Sequence, residues 1–382
     1  MVDSFERLGL DDLCFLDEKG VASGGLAGLD ALAVSGGDAF ALAGALGPEG
    51  AEAIESFVRS GGLYLGSCAG AYLCLRSSKA PLNLFNFVQA RISNLARELP
   101  QPLMLAEKFS TPYGCAHVFH PVREAVWLAP AEEGPWSGGG RFAAPLYGGP
   151  AMLPDDPCLA MATYADFHPR TRFLAPRELA EATLLGRAAA LRAPLGAGWL
   201  HLYGPHLEHP GFAEANRLMA EALTHDLPDG PPASPPASPP SWLAGEAVRG
   251  LARQLRREVS NSRIVAAGLE DHPVRWRIGA KVYEPAKFRV FLEAAWRRVP
   301  ALERASALPL APEESLALGE GWQEITAGLR GLRRALEDSP DPGRDTTGQA
   351  NRLFDQIKRA CVGLLTLHFA ARGPRGGISR PH

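Results

Sequence analysis

Residues 61–75 read GGLYLGSCAGAYLCL. An apolar run leads into Ser67 and Cys68, and a second apolar run follows at once. A cysteine buried within a strand needs no glycine on either side. A cysteine on a tight turn between a strand and a helix does, because neighbouring side chains would collide there. The stretch therefore predicts a strand, a Gly66-x-Cys68-x-Gly70 turn and a helix, the thiol version of a nucleophile elbow. Such a turn lifts the sulfur above the sheet edge and aims it at the N-terminus of the next helix. There the helix dipole and free N–H groups favour the thiolate. The N–H of Ala69 is placed to help hold an oxyanion. The competing reading is a buried structural cysteine beside a helix cap. Cys74, about one turn along the same helix, belongs to the core.

A thiol nucleophile needs a base in hydrogen-bond reach and a group to orient that base. The stretch LYGPHLEHP at 202–210 supplies both. An apolar strand ends in Gly204–Pro205 and then presents His206, with Glu208 two residues on. In extended chain these two side chains share a side, so Glu208 can hold the imidazole. His209 is expected to face the other way, at the surface, and His201 to lie in the core. His117, His120 and His168 carry no comparable context. A third stretch, AVSGGDAF at 33–40, places Gly36 and Gly37 after a strand, where backbone can approach a ligand at the carboxyl edge of a sheet. The N–H of Gly37 is the second candidate oxyanion donor.

Around these motifs, short apolar runs alternate with helical patterns. LCFL at 13–16, ALAV at 31–34, LYLG at 63–66 and WLHLYG at 199–204 are the predicted strands. PEGAEAIESFVR at 48–59 has Pro48 placed for a first helical turn, with Ile54, Phe57 and Val58 on one side. Alternating strands and helices argue for a parallel sheet covered on both faces.

The stretch PDGPPASPPASPP at 228–240 has the composition of an extended linker. It divides the chain into an α/β part at 1–227 and a region at 241–382 where the period is helical. Four stripes follow the linker, led by Val248/Leu255, Leu292/Trp296, Trp322/Leu329 and Leu353/Ile357, and predict a small all-α bundle.

The 382 residues carry a net charge of −3 and are 46% hydrophobic, which describes a soluble globular chain of two domains. Residues 1–240 hold 16 basic against 26 acidic residues, and residues 241–382 hold 23 against 16. Arginine clusters such as RQLRRE at 253–258 and RGLRR at 330–334 are expected to be solvated helix faces. No nucleic-acid motif accompanies them, so the helices are the candidate surface for a protein partner instead. The N-terminus lacks the apolar segment of a signal peptide, and no window has the uncharged length of a membrane span. The six cysteines lie far apart with no C-x-x-C pair, which argues against structural zinc and a disulfide framework and for a reducing, cytoplasmic setting. No cofactor or metal is called for.

Taken together, SGGDAF at 35–40, FVRSGGLYLGSCAGAYL at 57–73, PLYGGPAML at 145–153 and LYGPHLEHP at 202–210 resemble the biotin–protein ligase N-terminal domain family of the class I glutamine amidotransferase-like superfamily. The resemblance implies a flavodoxin-like three-layer sandwich with a mostly parallel sheet. It also implies a Cys-His-Glu triad of Cys68 as nucleophile, His206 as base and Glu208 as its orienting carboxylate. Gly36, Gly37 and Ala69 would line the oxyanion site, and Tyr147 and Gly148 a loop bordering the pocket. The implied activity is thiol-dependent hydrolysis or transfer on a small amide or acyl substrate; the alternative is a binding module on the same fold. Three features depart from the family. Ser35 replaces the usual proline, a helix-like MVDSFERLGLDD stands where a strand is usual, and Ala71–Tyr72 replaces the polar pair after the elbow. No biotinyl-adenylate loop is present, so the chain is not itself expected to be a biotin ligase.

Overall fold

The computed structural model describes residues 1–10, 12–94, 118–227, 242–279, 281–339 and 341–372. The linker at 228–240, Cys115 and His117 lie outside the described residues. The chain divides into two compact units. Residues 16–227 form the first, with Met1–Leu8 and Gly279–Lys281; the second holds residues 242–278 and those from 282 onward, with Cys14 and Phe15 from the N-terminal segment.

In chain order the first unit contains α1 (Val2–Arg7), α2 (Glu18–Ala22), β1 (Ala31–Val34), α3 (Ala39–Arg59), β2 (Leu63–Ser67), α4 (Ala69–Cys74), β3 (Ala90–Ile92), β4 (Val122–Pro130), β5 (Phe142–Leu146), β6 (Met152–Pro154), β7 (Ala160–Phe167), β8 (Arg172–Phe173), α5 (Arg177–Leu184), β9 (Ala188–Leu195), β10 (Gly198–Tyr203) and α6 (Ala213–Asp226). The strands form one mixed sheet whose main path runs β1-β2-β10-β9-β7-β4-β5, with β3, β6 and β8 paired at its side. β2 lies between parallel neighbours β1 and β10. From β10 onward the neighbours are antiparallel: β10 with β9, β9 with β7, β7 with β4, and β4 with β5. By direction most strands still run with β1. By pairing, the parallel part is the β1-β2-β10 edge, and that edge carries the motifs.

β2 is buried along its whole length because strands flank it on both sides and side chains cover both faces. Leu200 and Leu202 of β10 point to one face, where they meet Ile54 and Val58 of α3 and Leu73 of α4. Burying each of these aliphatic side chains contributes on the order of 1.5–3 kcal/mol. Alternation sends His201 and Tyr203 to the other face. There His201 Nε2 lies 2.7 Å from Asp226 Oδ2 at the end of α6, and the Tyr203 ring stacks on Trp136. Helices thus cover both faces at this edge.

The predicted strands at 31–34, 63–66 and 199–204 are β1, β2 and β10. The predicted helix at 48–59 is the second half of α3, which is kinked at Gly47 (φ 62°) just before Pro48, where proline cannot continue the ladder of the preceding turn. LCFL at 13–16 is not a strand. No strand among the described residues pairs with it; the Phe15 ring packs 5.9 Å from that of Phe369, and Leu16 packs against the first unit's core.

The second unit comprises β11 (Leu243–Ala244), α7 (Glu246–Leu269), β12 (Trp276–Ile278), β13 (Lys281–Tyr283), α8 (Ala286–Trp296), α9 (Val299–Arg304), β14 (Ala307–Leu308), α10 (Pro312–Asp338), α11 (Pro342–Asp345) and α12 (Thr347–Arg372). The four apolar stripes lie on α7, α8, α10 and α12 and meet in one core around Leu255, Leu292, Trp322, Leu329, Leu353 and Ile357. Val299 belongs to a separate short helix with Pro300 in its first turn. The basic clusters are largely paired within the unit: Arg253 with Glu246, Arg256 with Glu303, Arg257 with Glu258 and Arg333 with Glu337. No helix among the described residues is long and apolar enough to cross a membrane.

Candidate active site

Cys68 sits between the end of β2 and the start of α4 with φ 52° and ψ −101°. Among the described residues only Glu124 shares a positive φ without being glycine. Holding a side chain in this region costs on the order of 1–3 kcal/mol, and the surroundings enforce it. The Cys68 N–H donates to the Tyr203 carbonyl at 2.8 Å, tying the turn to the end of β10. The flanking glycines are required by close approach. A Cβ on Gly66 would stand 2.5 Å from the Gly70 carbonyl oxygen, and one on Gly70 would stand 2.2 Å from that of Val34. Strand end, first helical turn and neighbouring strand converge too tightly for any other residue.

The 139-residue separation between Ser67 and His206 closes here. The His206 ring is hydrogen-bonded to the Cys68 side chain, and its Nδ1 lies 2.8 Å from Glu208 Oε1. That leaves Nε2 for the sulfur. Burial, the largest influence on the His206 ring, favours its neutral form. The Glu208 charge and the hydrogen bonds to Cys68 and Glu208 outweigh it and raise the pKa to about 10. Burial pushes Glu208 up as well, but the charge and hydrogen bond of His206 bring it down to about 2. The pair is thus ionised near neutral pH. By contrast, burial pushes Cys74 up to about 12 and holds His201 below its ordinary range despite Asp226. Both are core residues, as expected.

The sulfur is not lifted to an open rim. Cys68 is only 3% exposed, packed beneath the His206 ring, which is one-fifth exposed, and close to buried Tyr164. Gly36 is the exposed border of this corner. A Cβ on it would stand 2.8 Å from His206 Cε1 and 3.5 Å from Cys68 Cβ. Gly37 is exposed, with no neighbour among the described residues within 4 Å of its Cβ direction. Ala69 is buried at the first turn of α4.

The loop after β5 joins the same corner. A Cβ on Gly149 would stand 1.7 Å from the Gly204 carbonyl oxygen, so the two glycine turns pack backbone to backbone. Gly148 (φ 93°) accepts from the Tyr72 hydroxyl at 3.2 Å. The Tyr147 ring lies 5.9 Å from that of His206 and 6.2 Å from that of His209. His209 is half-buried here rather than turned out to the surface, because the loop curls back after Glu208.

Two supporting residues escaped the sequence reading. Ser67 is fully buried and its Oγ donates to both Glu208 oxygens, at 3.1 and 2.9 Å. A hydroxyl at the end of an otherwise apolar strand was its signal. Asn216 of α6 donates its Nδ2 to the carbonyls of Leu207 and His209 and accepts from Arg7 of α1 at 2.8 Å, fixing the loop that presents His206 and Glu208. Nothing in the sequence around Asn216 marks it. Among the described residues no group of three or more His, Cys, Asp or Glu side chains could hold a metal ion.

Residues 27–80 match the biotin-protein ligase N-terminal family. The match spans β1, α3, β2, the elbow and α4, and includes Cys68; His206 and Glu208 lie beyond it. No curated protein sequence matches the chain. Among solved structures, the chain is similar to a cold-adapted beta-galactosidase from Rahnella sp. R3, at 14% identity and TM-score 0.29 over 52% of this chain and 23% of that one. It is likewise similar to a beta-galactosidase from Bacillus circulans sp. alkalophilus, at 14% identity and TM-score 0.24 over 51% and 21%. The chain spans under a quarter of the length of either structure.

Proposed function

We propose that the first unit is a thiol-dependent amidohydrolase or amidotransferase-like enzyme acting on a small amide or acyl substrate. The observation that carries this reading is the strained Cys68 turn seated against the hydrogen-bonded His206–Glu208 pair. Structural cysteines do not need a left-handed backbone, and a loop histidine does not need a fully buried acid. In this reading a protonated His206 stabilises negative charge on the Cys68 sulfur. The sulfur attacks the substrate carbonyl, and the oxyanion rests on the N–H groups of Gly37 and Ala69. His206 then gives its proton to the leaving amine and, in the second half, accepts one from the attacking water. Glu208, held by Ser67, keeps the ring oriented throughout.

The β1-β2-β10 edge with its covering helices is, in this proposal, the flavodoxin-like part of the fold, and the antiparallel strands are an addition that carries the Tyr147–Pro150 wall. A reducing, cytoplasmic setting suits the five described free thiols.

The burial of Cys68 favours a second reading, a pocket that binds without chemistry. Site-resolved iodoacetamide labelling at neutral pH separates the two. Cys14 and Cys158 are exposed, but their pKa values are raised, by burial for Cys14 and by Asp156 for Cys158. An activated Cys68 reacts ahead of both, and Cys68→Ala abolishes ammonia release from a panel of primary amides. Slower reaction at Cys68 than at Cys14 and Cys158, or release unchanged in Cys68→Ala, overturns the enzyme.

A further inference from the structure

Glu124 is the second described non-glycine residue with a positive φ, 67°. It lies in β4, paired with Leu146 at the end of β5. Here the pairing of β4 passes from β8, which meets Val122 and Arg123, to β5. The carboxylate is exposed, makes no ion pair among the described residues, and accepts the Tyr147 hydroxyl at 3.0 Å through Oε2. Tyr147 is the residue whose ring stands against His206. Beyond it the aromatic surface continues through His209 to Phe212, whose rings meet edge-on at 5.5 Å. The Arg170 guanidinium already lies over the Phe212 ring at 5.1 Å. Burial and then the charges of His206 and the N-terminal ammonium hold His209 below its ordinary range, against the pull of Glu208 and Glu124.

A carboxylate beside aromatic faces is the arrangement that recognises an ammonium or guanidinium group. A phenol bonded to one carboxylate oxygen leaves the other oxygen as an acceptor and fixes its direction.

We propose that Glu124, with Tyr147 and His209, selects substrates carrying a positive charge on the end remote from the bond that Cys68 attacks. The inference rests on the thiol-enzyme reading and names the substrate class of that site. Glu124 is in this account a specificity residue and takes no part in the chemistry.

The test uses the full chain and three methanethiosulfonates, with a 2-aminoethyl, a methyl or a 2-sulfonatoethyl group. In each, the Cys68 sulfur forms a disulfide to the reagent's alkylthio sulfur and methanesulfinate leaves. Rates at Cys68 are read by peptide mass and divided by those of N-acetylcysteine amide, which removes the reagents' own reactivities. The cation-to-neutral ratio at Cys68 is expected to exceed one by about two- to fivefold, the range of an exposed ion pair, with the anion-to-neutral ratio below one. Glu124→Gln brings both ratios close to one, and added salt weakens the preference. Equal ratios in wild type and Glu124→Gln overturn the inference while leaving the thiol enzyme standing. Failure of all three reagents to modify Cys68 removes the thiol enzyme and this inference with it.

Discussion

Gly36→Ala tests the site through one added methyl group. Gly36 is exposed and its φ is not in the left-handed region, so alanine is tolerated by the backbone. The new Cβ would stand 2.8 Å from His206 Cε1 and 3.4 Å from Nε2. Carbon pairs rest at about 3.5–4.0 Å, so the imidazole must retreat by roughly 0.7 Å or more. It cannot retreat while keeping both the Glu208 bond and the Cys68 contact, since Ser67 and Asn216 fix the far side. A misplacement near 1 Å costs up to about a hundredfold in rate, so Cys68 alkylation by iodoacetamide at neutral pH should slow by about ten- to a hundredfold. Thermal unfolding should move little, because the methyl group creates no cavity and buries no polar atom. The assay is site-resolved labelling kinetics alongside a melting curve. A rate within twofold of wild type, with an unchanged melt, would refute the claim that the ring position governs the thiol.

Other perturbations probe neighbouring parts of the account. Gly149→Ala places a Cβ 1.7 Å from the Gly204 carbonyl oxygen, and backbone against backbone cannot yield. It should cost about 3 kcal/mol or more in denaturant unfolding, and near-wild-type stability would contradict the packing of the two turns. Glu208→Gln should destabilise by about 3 kcal/mol near neutral pH, as expected when one partner of a buried pair is removed. The pH window follows from the two shifts. Stability from His206 is complete below 6.5 and lost as pH rises through about 10, and that from Glu208 is present above 4.5 and lost as pH falls through about 2. The difference between wild type and Glu208→Gln should therefore be flat from about pH 4.5 to 6.5, shrink as pH rises from there toward about 10, and shrink as pH falls toward about 2; a difference that grows below pH 4 would be inconsistent with it. Ser67→Ala leaves the buried Glu208 carboxylate short of a donor and should cost about 1–3 kcal/mol, with the His206 titration moved on NMR; a stability loss without that movement would mean Ser67 only packs.

The strand, turn and helix around Cys68 were legible because glycines on both sides of a cysteine mark a tight turn, and the parallel edge because its strands are short apolar runs between turns. The histidine–glutamate pair was legible from its i, i+2 spacing in extended chain. The antiparallel half of the sheet was not. β5 contains Pro145, β7 and β9 are rich in alanine, and none shows a clean period of two. LCFL at 13–16 has a strand's composition but no pairing strand among the described residues, which local pattern does not reveal. Ser67, Asn216 and Glu124 act through contacts with residues far away in sequence, the kind of relation a single chain does not display. The burial of Cys68 was missed because the elbow sets the backbone, whereas the covering groups, His206 and the end of β10, come from the other end of the unit.

The most direct test of the paired sulfur and imidazole is the ultraviolet thiolate absorbance of wild type minus that of Cys68→Ala, followed across pH. The account predicts a thiolate signal already present in mildly acidic solution, lost when His206 is replaced by alanine. A signal that appears only near the ordinary thiol range of about 8.5, or higher, would contradict it.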